Sequence, residues 1–169
     1  MAKNKNGYST AQISLHWTIV VLVAFQFLAH EGIEDAWRAF KRAETPPENA
    51  ALTYLHIAVG LLVLLLMFAR IYLRIRRGAP PPPTDEPRLL QLLASAVHGF
   101  LYVLLVLLPL SGAVAWFLGA EQAGEAHELL KNLLLGAIVL HVGGALFQHF
   151  ARRSDVLMRM FRPERSSGL

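Results

Sequence analysis

Seven histidines and no cysteine define the chemistry open to this 169-residue chain. Without thiols, disulfides, zinc–thiolate sites and iron–sulfur clusters are excluded. Imidazoles and four methionines remain as soft-metal ligands. Two of the histidines, His127 and His141, stand fourteen positions apart in "AHELLKNLLLGAIVLHV". Fourteen helical residues rise about 21 Å and return to nearly the same face. One helix can therefore present two imidazoles to one interior at two depths. Ionisable or ligating side chains inside apolar spans are rare and point to function.

The elements that hold these residues follow from composition. The chain is 54% apolar and only 17% charged, with a mean hydropathy of +0.42, against about 25% charged residues in ordinary soluble domains. An all-α membrane protein is expected, as one domain over 1–169. Four segments approach the roughly 20 residues needed to cross the hydrocarbon core: about 11–30, 51–71, 89–118 and 126–150. The first reads as an uncleaved membrane helix, since no small-residue cleavage site follows it. Pro109 lies inside the third and is expected to kink or split it. "GAPPPPTDEP" (78–87) reads as a stiff extended linker, and "GAEQAGE" (119–125) as a short acidic turn.

Charge sets the orientation. The N-terminus, residues 70–88 and the C-terminal tail carry twelve of the 16 Lys and Arg, whereas eight of the 12 Asp and Glu fall on the other side. The positive-inside rule places both termini and the proline-rich loop of a four-helix membrane bundle in the cytoplasm; for a bacterial protein the membrane is then the inner one and the opposite, acidic face is periplasmic. Rim charge also accounts for the sequence pI of about 9.8 without nucleic acid; membrane lipid is the expected surrounding.

Span direction then sorts the histidines by depth. His16 and His98 fall near the cytoplasmic side, as does His141. His56 and His127 fall near the outer side, with His30 at the outer end of the first span. His16 matches His141, and His56 matches His127. Two bis-histidine sites stacked across a bilayer suit two b-type haems, each held by axial imidazoles between helices. Zinc is the competing ligand reading, but it takes three or four protein ligands at one site. By spacing alone His30 can replace an outer ligand. His56 is preferred because it lies just inside an apolar run, whereas His30 opens the charged "HEGIEDAWR". Gly60, Gly112, Gly143 and Gly144 offer room for close approach to a ring.

The order of several short motifs resembles the bacterial cytochrome b561 family over nearly the whole chain. They are "YSTAQISLHW", "HIAVG" with "ARIYLR", "VHGFLYVLLVLLPLSG", "HELL", "LHVGGAL" and "LMRMFRP". The resemblance implies a four-helix bundle with two haems, His16 and His141 ligating the cytoplasmic one, and His56 and His127 the outer one. The family is related to the di-haem subunits of nickel–iron hydrogenase and formate dehydrogenase, and includes an enzyme that oxidises superoxide and reduces ubiquinone.

The leading expectation is therefore a superoxide:ubiquinone oxidoreductase. A superoxide site should be electropositive, and the outer side offers only Arg38, Lys41, Arg42 and Lys131. "WRAFKRAE" reads slightly better as an amphipathic interfacial helix. His98 is the candidate proton donor to quinone, since imidazole titrates near neutral pH; its alternative is a hydrogen bond to a haem propionate or a carbonyl. His149 is placed at the interface, and Arg70 and Arg74 either hold propionates or snorkel to lipid phosphate. A second class of function is an electron-transferring membrane anchor for a separate periplasmic redox partner. A haem-free metal-ion channel is the third.

Overall fold

The computed structural model describes residues 7–42 and 50–164. Lys3, Lys5, the "TPPEN" stretch and Arg165 lie outside them. The described chain is helical, with no strands, and comprises α1 (Thr10–Leu28), α2 (Glu31–Lys41), α3 (Ala50–Arg77), α4 (Arg88–Leu118) and α5 (Glu121–Phe150). A short 3-10 turn, Met158–Met160, follows. Four of these helices, α1, α3, α4 and α5, are long and apolar enough to cross a membrane.

Local chemistry sets the helix ends. Ser9 caps α1 in a reciprocal capping box with Gln12: Gln12 N–H donates to Ser9 Oγ at 3.3 Å and Ser9 N–H to Gln12 Oε1 at 3.1 Å. That arrangement satisfies two donors left unpaired at a helix start. Gly78 follows α3 with φ +73°, and its N–H closes on the Arg74 carbonyl at 2.9 Å. A left-handed glycine ends a helix without the steric cost a side chain brings, and the prolines after it cannot resume one. α2 has Glu31 and Glu34 in its first turn and Arg38 and Lys41 in its last, complementing the helix dipole at both ends.

Two expectations are corrected. The turn between the third and fourth spans is only Gly119–Ala120; residues 121–125 belong to α5. Gly119 adopts φ +64° and stops α4 at once, and Glu121 then sits favourably at the positive end of the new helix. Pro109 does not split the third span, because α4 runs unbroken through it. A proline costs one backbone bond inside a helix, and in a membrane bundle nearby side chains and neighbouring helices can answer freed carbonyls.

α5 packs most extensively on α4, α4 on α3, and α3 on α1. The buried centre is a thin layer of Ile19, Val23, Val63, Met67, Leu104, Leu134 and Ala137. Outside it, Leu65, Leu107, Val139 and Leu140 are exposed, as lipid-facing side chains are. Lipid is as apolar as leucine, so the layer is held by close packing rather than by expulsion of water.

The two rims differ. On one, Tyr8 and Glu164 are joined (Glu164 N–H to Tyr8 carbonyl, 2.9 Å), which brings the two ends of the described chain to the same face. The tail after α5 clasps the proline linker there: Arg159 donates to the Pro81 carbonyl at 2.7 Å, Arg152 to the Asp85 carbonyl at 2.9 Å, and Gln148 to Glu86. This is the basic face. On the opposite, acidic face, α2 lies across the bundle end. Gly32 fits against Leu52, Gly124 against Trp37, and Phe40 packs between Trp37 and Trp116. The loop read as an amphipathic interfacial element therefore holds a helix.

Candidate functional site

Two histidine pairs bracket the buried layer. On the basic face His16 of α1 meets His141 of α5, with ring centroids 6.2 Å apart and planes at 74°. On the acidic face His56 of α3 meets His127 of α5 at 6.4 Å and 64°. In sequence, Ile19 and Val23 lie between His16 and His30, and Leu134 and Ala137 between His127 and His141. The apolar layer thus separates the two levels. Both pairs draw one member from α5 and the other from a helix that α5 does not pack against as it does α4. Each pair spans a gap rather than a helix–helix seam.

A b-type haem fits these residues. Two imidazoles binding one metal from opposite sides, each nitrogen about 2 Å from it, place their ring centres roughly 6 Å apart. Both pairs have that separation. Among the described residues no cluster of three or more His, Asp or Glu is arranged for a metal ion, which disfavours the zinc reading. His127 Nδ1–H donates to the Leu108 carbonyl at 2.9 Å, with Ser111 Oγ 3.3 Å away. A metal-binding histidine commonly gives its second nitrogen to a carbonyl in this way, which fixes the ring and leaves Nε2 free. His56 Nδ1 is buried without a hydrogen-bond partner, an open valence on the acidic-face pair.

The surrounding residues sort out the remaining expectations. Gly112 makes room for His127 itself: a Cβ there would lie 2.9 Å from the imidazole. Gly60 faces Gln26, while Gly143 and Gly144 have nothing within 4 Å of a Cβ position. So the close approaches belong to Gly112 and Gly60, and Gly143 and Gly144 leave open space. His98 packs its ring against His141 at 4.9 Å, and its Nδ1–H donates to the Ala94 carbonyl at 2.6 Å. His30 donates to the Phe27 carbonyl at 2.9 Å and stands 3.6 Å from Glu34; it stacks on neither member of the two pairs but lies within electrostatic reach of His56. His149 contacts Phe150 at 4.9 Å.

Sequence reasoning missed Gln12 and Trp17. Gln12 Nε2 donates to the Gly78 carbonyl at 3.0 Å, tying the start of α1 to the end of α3. Trp17, next to His16, donates from Nε1 to the Met160 carbonyl at 2.8 Å and packs on Phe161. Both fix the depth of His16. The Ser9–Gln12 spacing is a legible capping signal; the contacts across the bundle are not local and leave no such mark.

On the acidic face Lys131 and Arg38 meet carboxylates. Lys131 lies 3.4 Å from Glu34 and 3.5 Å from Glu128, and Arg38 pairs with Asp35.

Known proteins agree with this architecture. The family model for prokaryotic cytochrome b561 matches residues 7–163. A protein named cytochrome b562 from Cereibacter sphaeroides is 35% identical, covering 93% of this chain and 96% of its own. The probable superoxide oxidase CybB of Yersinia pestis is 29% identical over 94% of this chain and 97% of its own. Cytochrome b561 homolog 1 of Escherichia coli is 30% identical over 92% and 97%. With four apolar spans and two facing imidazole pairs, the chain belongs to the prokaryotic cytochrome b561 family and is a multi-pass membrane b-type cytochrome.

Proposed function

We propose that the chain is a di-haem oxidoreductase of the bacterial inner membrane. Its basic face lies in the cytoplasm, and it takes single electrons from superoxide at the acidic face and delivers them to ubiquinone. The observation that carries the reading is the matched separation of the two pairs, 6.2 and 6.4 Å, on opposite sides of one apolar layer. His16 and His141 hold one haem and His56 and His127 the other; bound haem supplies reversible one-electron chemistry.

The chain's own side chains do the rest. The Leu108 carbonyl makes His127 a better donor to a metal by accepting its Nδ1–H. Met67, Leu104 and Leu134, each about 1% exposed, keep water out of the space between the levels. On the basic face the Ala94 carbonyl holds His98 Nδ1–H, which leaves Nε2 to take up a proton from the aqueous rim and hand it to a reduced quinone. On the acidic face Lys131, one turn beyond His127, attracts the anionic donor, with Glu34 and Glu128 limiting its field. The relative named a probable superoxide oxidase supports this donor.

The test mixes purified protein with a superoxide source and a ubiquinone and follows the haem bands. Reduction faster than free superoxide chemistry, with quinol formed, is expected; haem bands that ignore superoxide defeat the reading. The pairing of Arg38 and Lys131 with carboxylates favours a second reading, in which a periplasmic redox protein docks there and exchanges electrons with the quinone pool. Co-purification of such a partner from native membranes, together with superoxide inertness, would select it.

A further inference from the structure

The basic face holds a positive charge that the protein's own carboxylates do not answer. Arg70 of α3 is half-buried. Its Nη1 donates to the Gln12 carbonyl at 3.2 Å, and its guanidinium lies 5.9 Å from the centre of the Tyr102 ring. Both partners are neutral, and among the described residues no Asp or Glu pairs with it. Arg38, Lys131, Arg152 and Arg159, by contrast, all meet a carboxylate. Arg70 lies within electrostatic reach of His16, His98 and His141, so its charge is felt at the basic-face pair. Arg74, one turn further along α3, is exposed at the rim.

A guanidinium inside a membrane span without a counter-charge is costly and marks a place where an anion belongs. Its planar fork matches a carboxylate better than any other anionic group in a membrane except phosphate. Gln12 and Tyr102 fix the side chain's position yet leave most of its five N–H donors unengaged. We infer that Arg70 binds a carboxylate group of the haem held by His16 and His141, so that α3, which gives no ligand to that haem, still anchors it and sets its affinity for electrons. This rests on the two-haem reading. Loss of the cation, or of its partner's neutralisation, disfavours the extra electron of the reduced state. The basic-face potential therefore falls when Arg70 is removed.

The experiment is a spectroelectrochemical titration of wild-type, Arg70→Gln, Arg70→Lys and Arg76→Gln proteins in nanodiscs, with haem content measured alongside. Arg70→Gln is expected to lower one potential, the one that disappears in His141→Ala, and to leave the other in place; Arg76→Gln, at an exposed position of the same helix, leaves both. If Arg70→Gln sheds that haem alone while Arg70→Lys keeps it, the inference also stands. With haem dimethyl ester, whose carboxylates are blocked, wild type and Arg70→Gln should retain the basic-face haem equally well. A retention difference that survives the ester, or appears only with anionic lipid, assigns Arg70 to lipid phosphate and overturns the proposal. So do unchanged potentials with normal haem content, or loss of both haems from Arg70→Gln and Arg70→Lys alike. A wild-type protein with no b-type spectrum sinks the two-haem reading instead.

Discussion

His98 stands closer to His141 than His16 does, 4.9 Å against 6.2 Å between ring centroids. The nearer ring is the poorer axial partner. At 4.9 Å there is no room for a metal between two imidazoles that each need about 2 Å, whereas 6.2 Å leaves that room. His98→Ala should therefore keep both haems and slow quinone reduction, while His16→Ala and His141→Ala each lose only the basic-face haem. His127→Ala and His56→Ala should lose only the other. A pyridine haemochrome assay, scored against protein, reads about half the wild-type haem in each ligand variant and all of it in His98→Ala. Loss of haem from His98→Ala would reassign the pair.

Gly112 is a packing partner of His127, not a spacer. An added Cβ meets the imidazole at 2.9 Å, and α4 backbone lies behind it. Gly112→Val should push the ring from its Leu108 bond, at about 1–3 kcal/mol for overpacking. It should also weaken acidic-face haem binding by roughly 10–100-fold, as for lost supporting contacts. Gly143→Ala, with open space around it, should leave thermal stability near wild type. Haem content and melting temperature compared between the two variants check this.

Gln12 performs two tasks with one side chain, closing the α1 cap and bonding to Gly78. Gln12→Ala should cost about 1–2 kcal/mol, read as a lowered melting temperature in detergent. Trp17→Phe keeps the packing on Phe161 and loses one hydrogen bond to Met160, about 1 kcal/mol.

Charge at the acidic face gives a signed kinetic test. Glu34→Gln removes one of the two carboxylates beside Lys131, so an anionic donor should react faster, by up to about tenfold at low salt. Lys131→Ala should react more slowly. Both effects should shrink as ionic strength shortens the screening length to about 8 Å. Stopped-flow rates with superoxide at two salt concentrations decide it; equal rates in all three proteins would remove Lys131 from the donor site.

Much of this architecture is legible in the sequence because a membrane makes depth a one-dimensional problem. Fixed helical rise and alternating span direction pair His16 with His141 and His56 with His127 before any coordinates, and the structure places those rings together. Composition likewise reveals four spans. The start of α5 is not legible: "GAEQAGE" is polar and glycine-bearing, as loops are, and only the left-handed Gly119 shows that the turn needs two residues. Pro109 leaves α4 unsplit, an outcome set by neighbours the sequence does not order. Gln12 escapes because its partner Gly78 lies 66 positions away.

The layer of Met67, Leu104 and Leu134 has an electrical consequence. It is a dry dielectric between the two histidine levels, with no titratable side chain among its seven buried members to carry protons across, and if each level holds a haem the consequence is direct. An electron passing from one level to the other thus moves alone through part of the transmembrane field. At about 2.3 kcal/mol per charge per 100 mV for a full crossing, its equilibrium follows the membrane voltage. In sealed vesicles a clamped potential should shift the ratio of the two reduced centres, and with the basic face inside, inward flow charges the membrane in the energised direction.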